Sequence, residues 1–140
     1  MNVLVDTSVW SLALRRKSRG LAPGEQSSVR ELADLAREGR VRLTGFIRQE
    51  LLSGIKTAAQ YEKLRAALRA FPDEAISTSD YEAAAKLNKE CRSRGITASL
   101  VDALICQIVL ARQWSIFTTD SGFKVYARVL PIKLHAPRDK

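Results

Sequence analysis

The sequence predicts an α/β domain in three layers, with a central, mainly parallel sheet of four to five strands between helices. Three observations predict it. Short runs that are apolar throughout, such as Val3-Leu4-Val5, suit strands buried on both faces of a parallel sheet. These runs alternate with segments of helical apolar spacing, the pattern of strands joined by crossover helices. A length of 140 residues is that of one domain able to bury a core. Residues 1–140 are therefore read as a single domain, without repeat, linker or low-complexity segment.

Each element follows from its own signals. Val3-Leu4-Val5 ends in Asp6 and forms the first strand. A helix runs from Ser8 to about Arg16, followed by a basic loop from Lys17 to Ala22. Pro23 opens a second helix that reaches about Glu38, with Leu32, Leu35 and Ala36 inward and Gly39 as its stop. Val41 to Leu43 is the second strand. Thr44 or Gly45 starts a helix carrying Phe46, Ile47, Leu51 and Ile55, and another runs from Thr57 to Ala70 with Tyr61, Leu64 and Leu68 on one stripe, ended by Pro72. Ala75 to Ser77 is a weak strand. Ser79 or Asp80 caps a helix that Gly95 stops. Ser99 caps the next, where Val101, Leu104, Ile105, Ile108 and Val109 make the most apolar helical face of the chain. Ser115 to Thr119 is a strand ending in Asp120, Phe123 to Val129 a short helix, and Ile132 to Leu134 a last strand.

Composition narrows the chemistry. A zinc site of His and Cys needs about four ligands, and the one His and two Cys of the chain, His135, Cys91 and Cys106, match no ligand spacing. RNA cleavage by a pair of histidines acting as acid and base lacks its second member. Hydrolysis must then rest on carboxylates, with a metal. Both cysteines sit in helical apolar patterns and are expected as reduced, buried thiols. Met1-Asn2-Val3-Leu4-Val5-Asp6 lacks a basic n-region and is not a signal peptide. No run approaches the roughly 18 apolar residues of a membrane span. A cytoplasmic protein without a membrane partner is expected. With 23 Lys+Arg against 15 Asp+Glu, the net charge of +8 favours a polyanionic partner, nucleic acid before membrane.

Four carboxylates stand out by position. In an open parallel sheet, ligands bind outside the carboxyl ends of the strands, where Asp6 and Asp120 both fall. Each also reads as a turn or cap residue, Asp6 or Ser8 for the first helix and Asp120 with Ser121-Gly122. At about 100° per residue, Glu50 projects inside the apolar arc of its own helix between Phe46, Ile47 and Gly54. A buried acid there needs a partner, and an ion pair with Arg48 or a neighbouring helix is the plain alternative. Asp102 lies in the first turn of the most apolar helix, where Ser99-Leu100-Val101-Asp102 fits a capping box. The crossover connection nevertheless brings that helix start to the edge that carries Asp6. Four carboxylates in one crevice repel one another, and protonation or a divalent cation relieves that. Oxygen-only ligation selects Mg²⁺ or Mn²⁺.

In chain order, Val3-Leu4-Val5-Asp6-Thr7-Ser8-Val9-Trp10, Glu50-Leu51-Leu52-Ser53-Gly54, Leu100-Val101-Asp102-Ala103-Leu104-Ile105 and Ile116-Phe117-Thr118-Thr119-Asp120-Ser121-Gly122-Phe123 resemble the four motifs of PIN-domain ribonucleases. The chain most resembles the VapC toxins of toxin–antitoxin modules. The resemblance implies a PIN-like fold and a Mg²⁺- or Mn²⁺-dependent endoribonuclease, with Asp6, Glu50, Asp102 and Asp120 as its acidic quartet. Asp6, Asp102 and Asp120 would hold the metal, Glu50 would position the attacking water or a metal-bound ligand, and Ser8 or Thr118 would be supporting hydroxyls. It further implies an RNA substrate, a homodimer, and a VapB-like antitoxin whose C-terminal segment fills the groove. One departure is Gly122, where many members of the family carry a further acid. That absence is the one sequence feature behind an alternative, a non-catalytic RNA-binding or scaffold protein of the same fold.

Arg15-Arg16-Lys17-Ser18-Arg19 is the densest basic run. It reads as a solvated face or, because it follows the helix that starts at Asp6, as a phosphate-steering patch in which Arg15, Arg16, Lys17 and Arg19 contact RNA. Arg40, Arg42 and Arg48 are weaker candidates. Aromatic residues make up 6% of the chain and offer no base-stacking platform. Trp10 and Trp114 read as core or interface residues, and His135, in a polar tail, is given no role.

Overall fold

Parallel strands leave their carboxyl ends on one edge, and the computed structural model, which describes residues 1–14 and 20–138, builds such an edge from its two central strands. In chain order the elements are β1 (Val3–Val5), α1 (Thr7–Ala13), α2 (Pro23–Arg37), β2 (Val41–Arg42), α3 (Gly45–Ser53), α4 (Ala58–Leu68), α5 (Thr78–Ser93), α6 (Leu100–Arg112), β3 (Ser115–Phe117), α7 (Gly122–Tyr126) and β4 (Lys133–Leu134). The sheet has the order β2-β1-β3-β4 and every pair is parallel. Register sets Val5 opposite Phe117, so β1 and β3 end level with each other. The Asp6 amide then donates to the Phe117 carbonyl at 2.9 Å. All three residues of β1 and of β3 are buried, as strands covered by helices on both faces require.

The helices take the faces their apolar spacing dictates. Leu32 and Leu35 of α2, Ile47 and Leu51 of α3, and Leu104, Ile105, Ile108 and Val109 of α6 all enter the core. Gly39 and Gly95, at φ of +70° and +77°, stop α2 and α5 in a conformation that costs glycine little. Trp10 is buried and meets Phe71 edge-on, with ring centroids 5.5 Å apart, and Trp114 is buried too. Cys91 and Cys106 are free, buried thiols, and burial beside Asp102 pushes Cys106 up to about 12, which leaves it unreactive.

Several expectations need correction. Ala75 to Ser77 is not a strand, so the sheet has four strands among the described residues. Pairing beside Leu43 is limited to a bridge with Asp73, because the Ala75 carbonyl is taken by Arg112 and Ser77 is already the N-cap of α5. That cap precedes the expected Ser79 or Asp80 and is a reciprocal box: Ser77 Oγ accepts from the Asp80 amide, and the Asp80 carboxylate accepts from the Ser77 amide. Tyr61 and Val101 are exposed rather than inward. His135 is not a spectator in a polar tail: its Nε2 lies 2.6 Å from Oε2 of the buried Glu31, and its ring stands edge-on to Phe117. The basic residues Arg15, Arg16, Lys17 and Arg19 lie outside the described residues. Arg40, Arg42 and Arg48 are engaged by internal acceptors, Arg48 by Asp73 Oδ1 and the carbonyls of Leu68 and Phe71.

The end of α6 is tied to the start of α5 through Arg112. Its guanidinium donates twice to the Asp80 carboxylate, at 3.1 and 2.9 Å, and also to Glu74 and the Ala75 carbonyl. These bonds hold the nearly buried Asp80 carboxyl well below its ordinary range. Because that folded-state value is depressed, the stabilisation is present above the unfolded Asp pKa and lost as pH falls. Arg112→Ala is expected to strand the Asp80 charge and cost about 3–5 kcal/mol in urea denaturation at neutral pH. The added substitution Asp80→Asn should recover part of the loss.

Candidate active site

Where β1 and β3 end, the chain turns outward and opens a cleft of about 680 Å³ lined by all four predicted acids, Asp6, Glu50, Asp102 and Asp120. Asp6 is both the N-cap of α1 and the first acid of the cleft, so its cap and site readings hold together. Its Oδ2 accepts from Ser8 Oγ at 2.8 Å and from Thr118 Oγ1 at 2.9 Å, with the Ser8 amide at 3.3 Å. The same hydroxyls accept from the next strand end, Ser8 Oγ from the Thr119 amide and Thr118 Oγ1 from the Asp120 amide, each at 3.0 Å. Ser8 and Thr118 thus orient Asp6 and fix the backbone that carries Asp120. Asp120 Oδ1 in turn accepts from the Gly122 amide at 2.9 Å, the expected turn.

Glu50 departs from expectation in its surroundings. It is exposed at the cleft rather than sunk in an apolar arc, because α3 is rotated to bury Ile47 and Leu51. It does not pair with Arg48, which is committed to Asp73. Its Oε1 accepts from Thr7 Oγ1 at 2.7 Å, and this ties α3 to the first turn of α1.

Asp102, like Asp6, is half-buried, whereas Glu50 and Asp120 are exposed. Ser99 caps α6 by accepting from the Asp102 amide at 3.0 Å, while Asp102 Oδ2 accepts the Tyr126 phenol at 2.6 Å. Burial raises the Asp102 carboxyl above its ordinary value, the Tyr126 hydroxyl opposes that rise, and the negative charges of Asp120 and Asp6 add to it. Burial and the Asp102 charge together push the Tyr126 phenol far up, so it remains a donor at any ordinary pH.

Sequence reasoning missed Thr7 and Tyr126. A Thr at the first position of a helix carries no signal beyond its place beside Asp6. Tyr126, packed edge-on against Phe123 with centroids 5.2 Å apart, reads as a core aromatic until its hydroxyl is located. Gly122 also gains a local reason: a Cβ there would sit 3.2 Å from Asp120 Oδ1, so a side chain would disturb the turn that sets this acid.

The donor set is all oxygen. Three of the acids keep one carboxylate oxygen that accepts no hydrogen bond from the described residues: Oδ1 of Asp6, Oε2 of Glu50 and Oδ2 of Asp120. Among the described residues no three or more His, Cys, Asp or Glu side chains are gathered tightly enough to hold an ion alone. That arrangement fits a hard cation that keeps several waters and takes one or two carboxylates with substrate phosphate, as Mg²⁺ does, better than one needing a closed protein cage.

Because the folded-state value of Asp102 is raised, ionising it opposes folding, and the penalty appears as pH rises through that value. Asp102→Asn, which keeps an oxygen for the Tyr126 phenol, is expected to raise the thermal midpoint at neutral pH. The gain should vanish below the ordinary Asp range near pH 4, as followed by thermal melts across pH in metal-free buffer.

Comparison with known proteins places this geometry. A PIN-domain family model matches residues 3–129. No curated protein matches the chain. Among solved structures, FitAcB from Neisseria gonorrhoeae is 19% identical with a TM-score of 0.74, covering 96% of this chain and 97% of its own. VapBC2 from Rickettsia felis, bound to a DNA fragment from its promoter, is 19% identical with a TM-score of 0.74, covering 96% of this chain and 98% of its own. The toxin–antitoxin system VapBC-5 from Mycobacterium tuberculosis is 16% identical with a TM-score of 0.65, covering 97% and 99%. The family match spans every element from β1 to α7 and all four acids of the cleft, and the chain belongs to the PIN-domain family.

Proposed function

We propose that this chain is a Mg²⁺- or Mn²⁺-dependent endoribonuclease and the toxin of a toxin–antitoxin pair. The observation that carries the reading is the meeting of Asp6, Glu50, Asp102 and Asp120 in one cleft of a protein of net charge +8. Asp6, Asp102 and Asp120 would supply the one or two carboxylates that such a cation takes, with water and substrate phosphate completing its shell. When bound, the ion would lower the pKa of a water and polarise a phosphoryl oxygen.

The chain's own residues do the remaining work. Ser8 and Thr118 fix Asp6 by holding Oδ2, which leaves Oδ1 directed by its partner rather than free to rotate. Tyr126 does the same for Asp102 and the Gly122 amide for Asp120. Glu50, steadied by Thr7, stands as an exposed carboxylate able to orient the attacking water and take its proton. The positive balance of the rest of the molecule draws the polyanionic substrate toward this acidic cleft. Arg15, Arg16, Lys17 and Arg19 are part of that proposal on sequence grounds.

The similar structures from Rickettsia felis and Mycobacterium tuberculosis are VapBC assemblies, and they support a cognate VapB-like antitoxin for this chain as well. An arginine from such a partner would pair well with the cleft acids. A homodimer and a cytoplasmic location belong to the same proposal and rest on the resemblance. No described helix is long and apolar enough to cross a membrane.

Purified protein should cut RNA with Mg²⁺ or Mn²⁺, stop on chelation, and lose the activity in Asp6→Asn. Thr118→Val, which removes one hydroxyl from Asp6, is expected to lower the rate by about 10–100-fold. RNA binding that persists without cleavage under any divalent ion would favour the non-catalytic alternative. Undiminished cleavage by Asp6→Asn would exclude the proposed site.

A further inference from the structure

A second cavity, of about 290 Å³, adjoins the acidic cleft, and Asp120 lines both. Its inner side is the end of β3 with Thr118 and Thr119, and its outer side is the C-terminal segment from Leu134 to Pro137. Ser121 and Lys124 stand at the side formed by α7 and its N-terminal turn. Nothing in the cleavage chemistry described above uses this space.

The outer wall is held by an otherwise costly feature. Glu31, on α2, is a carboxylate only 2% exposed, and a charge so placed needs partners. Among the described residues two side chains of the C-terminal segment meet it: His135 Nε2 lies 2.6 Å from Glu31 Oε2, and Arg138 Nε donates to the same oxygen at 2.8 Å. Burial alone would raise the Glu31 carboxyl, but these bonds outweigh it and hold it below its ordinary value. The His135 amide adds a sheet-like bond to the Ile116 carbonyl at 2.7 Å. The segment is therefore a built wall, anchored to the helix layer on one side and the sheet on the other.

The lining combines one cation, hydroxyls and apolar surface beside the Asp120 carboxylate. Lys124 is exposed, and no carboxylate among the described residues pairs with its ammonium. Thr119 and Ser121 are exposed hydroxyl residues beside it, while Leu134, Ala136 and Pro137 offer apolar surface. A cation and hydroxyls suit a phosphate and ribose, and an apolar wall suits the face of a base. The volume of about 290 Å³ lies just below the roughly 300–1,000 Å³ of small-molecule sites, room for one nucleotide rather than several. A strand whose scissile phosphate lies at Asp120 has its neighbouring nucleotide within reach of this space.

We propose that this cavity receives the nucleotide adjoining the scissile phosphate, with Lys124 on its phosphate and the wall from Leu134 to Pro137 against its base. The proposal rests on the ribonuclease reading. The test uses Asp6→Asn protein, which should bind without cutting, and a fluorescein-labelled single-stranded RNA followed by anisotropy across salt. Adding Lys124→Ala should weaken binding about 3–10-fold and reduce the slope of log affinity against log salt by about 0.7, one phosphate contact. Lys86→Ala on α5, the same loss of charge elsewhere, should leave the slope unchanged. With 4-thiouridine beside the cleavage position, ultraviolet cross-links should fall on the tryptic peptide of residues 134–138. An unchanged affinity and slope in Lys124→Ala, or cross-links confined to other peptides, would overturn the subsite alone. Failure of the wild-type chain to cut RNA with any divalent ion would instead overturn the ribonuclease reading and the subsite with it.

Discussion

The tie between the carboxyl ends of β1 and β3 is the constraint on which the rest depends. Two hydroxyls, Ser8 Oγ and Thr118 Oγ1, meet one carboxylate oxygen of Asp6 while accepting the amides of Thr119 and Asp120. The parallel register brings the strand ends level, and the hydroxyl pair converts that alignment into a fixed relation between two acids distant in sequence. The remaining acids are set against this frame, Glu50 through Thr7 and Asp102 through Tyr126. Helix caps do double duty here. The residue that starts α1 and the turn that starts α7 each supply a cleft carboxylate.

Electrostatics sets the cleft apart from the scaffold. Two buried acids elsewhere are compensated, Asp80 by Arg112 and Glu31 by Arg138 together with a His135 hydrogen bond, and their carboxyls are held low. Asp102 goes the other way. Burial raises its carboxyl, and with no Lys or Arg paired to it among the described residues the nearby charges of Asp120 and Asp6 raise it further. A fold that compensates those two acids but leaves this group uncompensated stores unfavourable energy there, which a bound cation would release.

Much of this was legible in the sequence, for physical reasons. A strand buried on both faces writes itself as an uninterrupted apolar run, and an acid at its end is conspicuous, so Asp6 and Asp120 were readable from their positions. Ser99 and Asp102 were readable because caps obey local spacing. Glu50 was found for a reason that did not hold: helical periodicity gives its angle on α3 but not which arc the other helices cover. Tyr126 and Thr7 were not readable because their roles rest on where a hydroxyl points across a gap between elements. His135 was missed because its partner Glu31 lies 104 positions away, and no periodicity links the two. The expected strand from Ala75 to Ser77 failed where a long-range arginine and a helix cap claimed the backbone first.

The central claim is that Asp6, Asp102 and Asp120 border one site for a divalent cation, with Glu50 beside it. Mn²⁺ binding to metal-free protein, followed by electron paramagnetic resonance, tests it without reliance on turnover or on the RNA chosen. Wild-type protein should bind the ion, and Asp6→Asn and Asp120→Asn should each bind it much more weakly while melting as cooperatively as the parent. Absence of Mn²⁺ binding at millimolar concentration, with or without RNA, or equal binding by both variants, would contradict it.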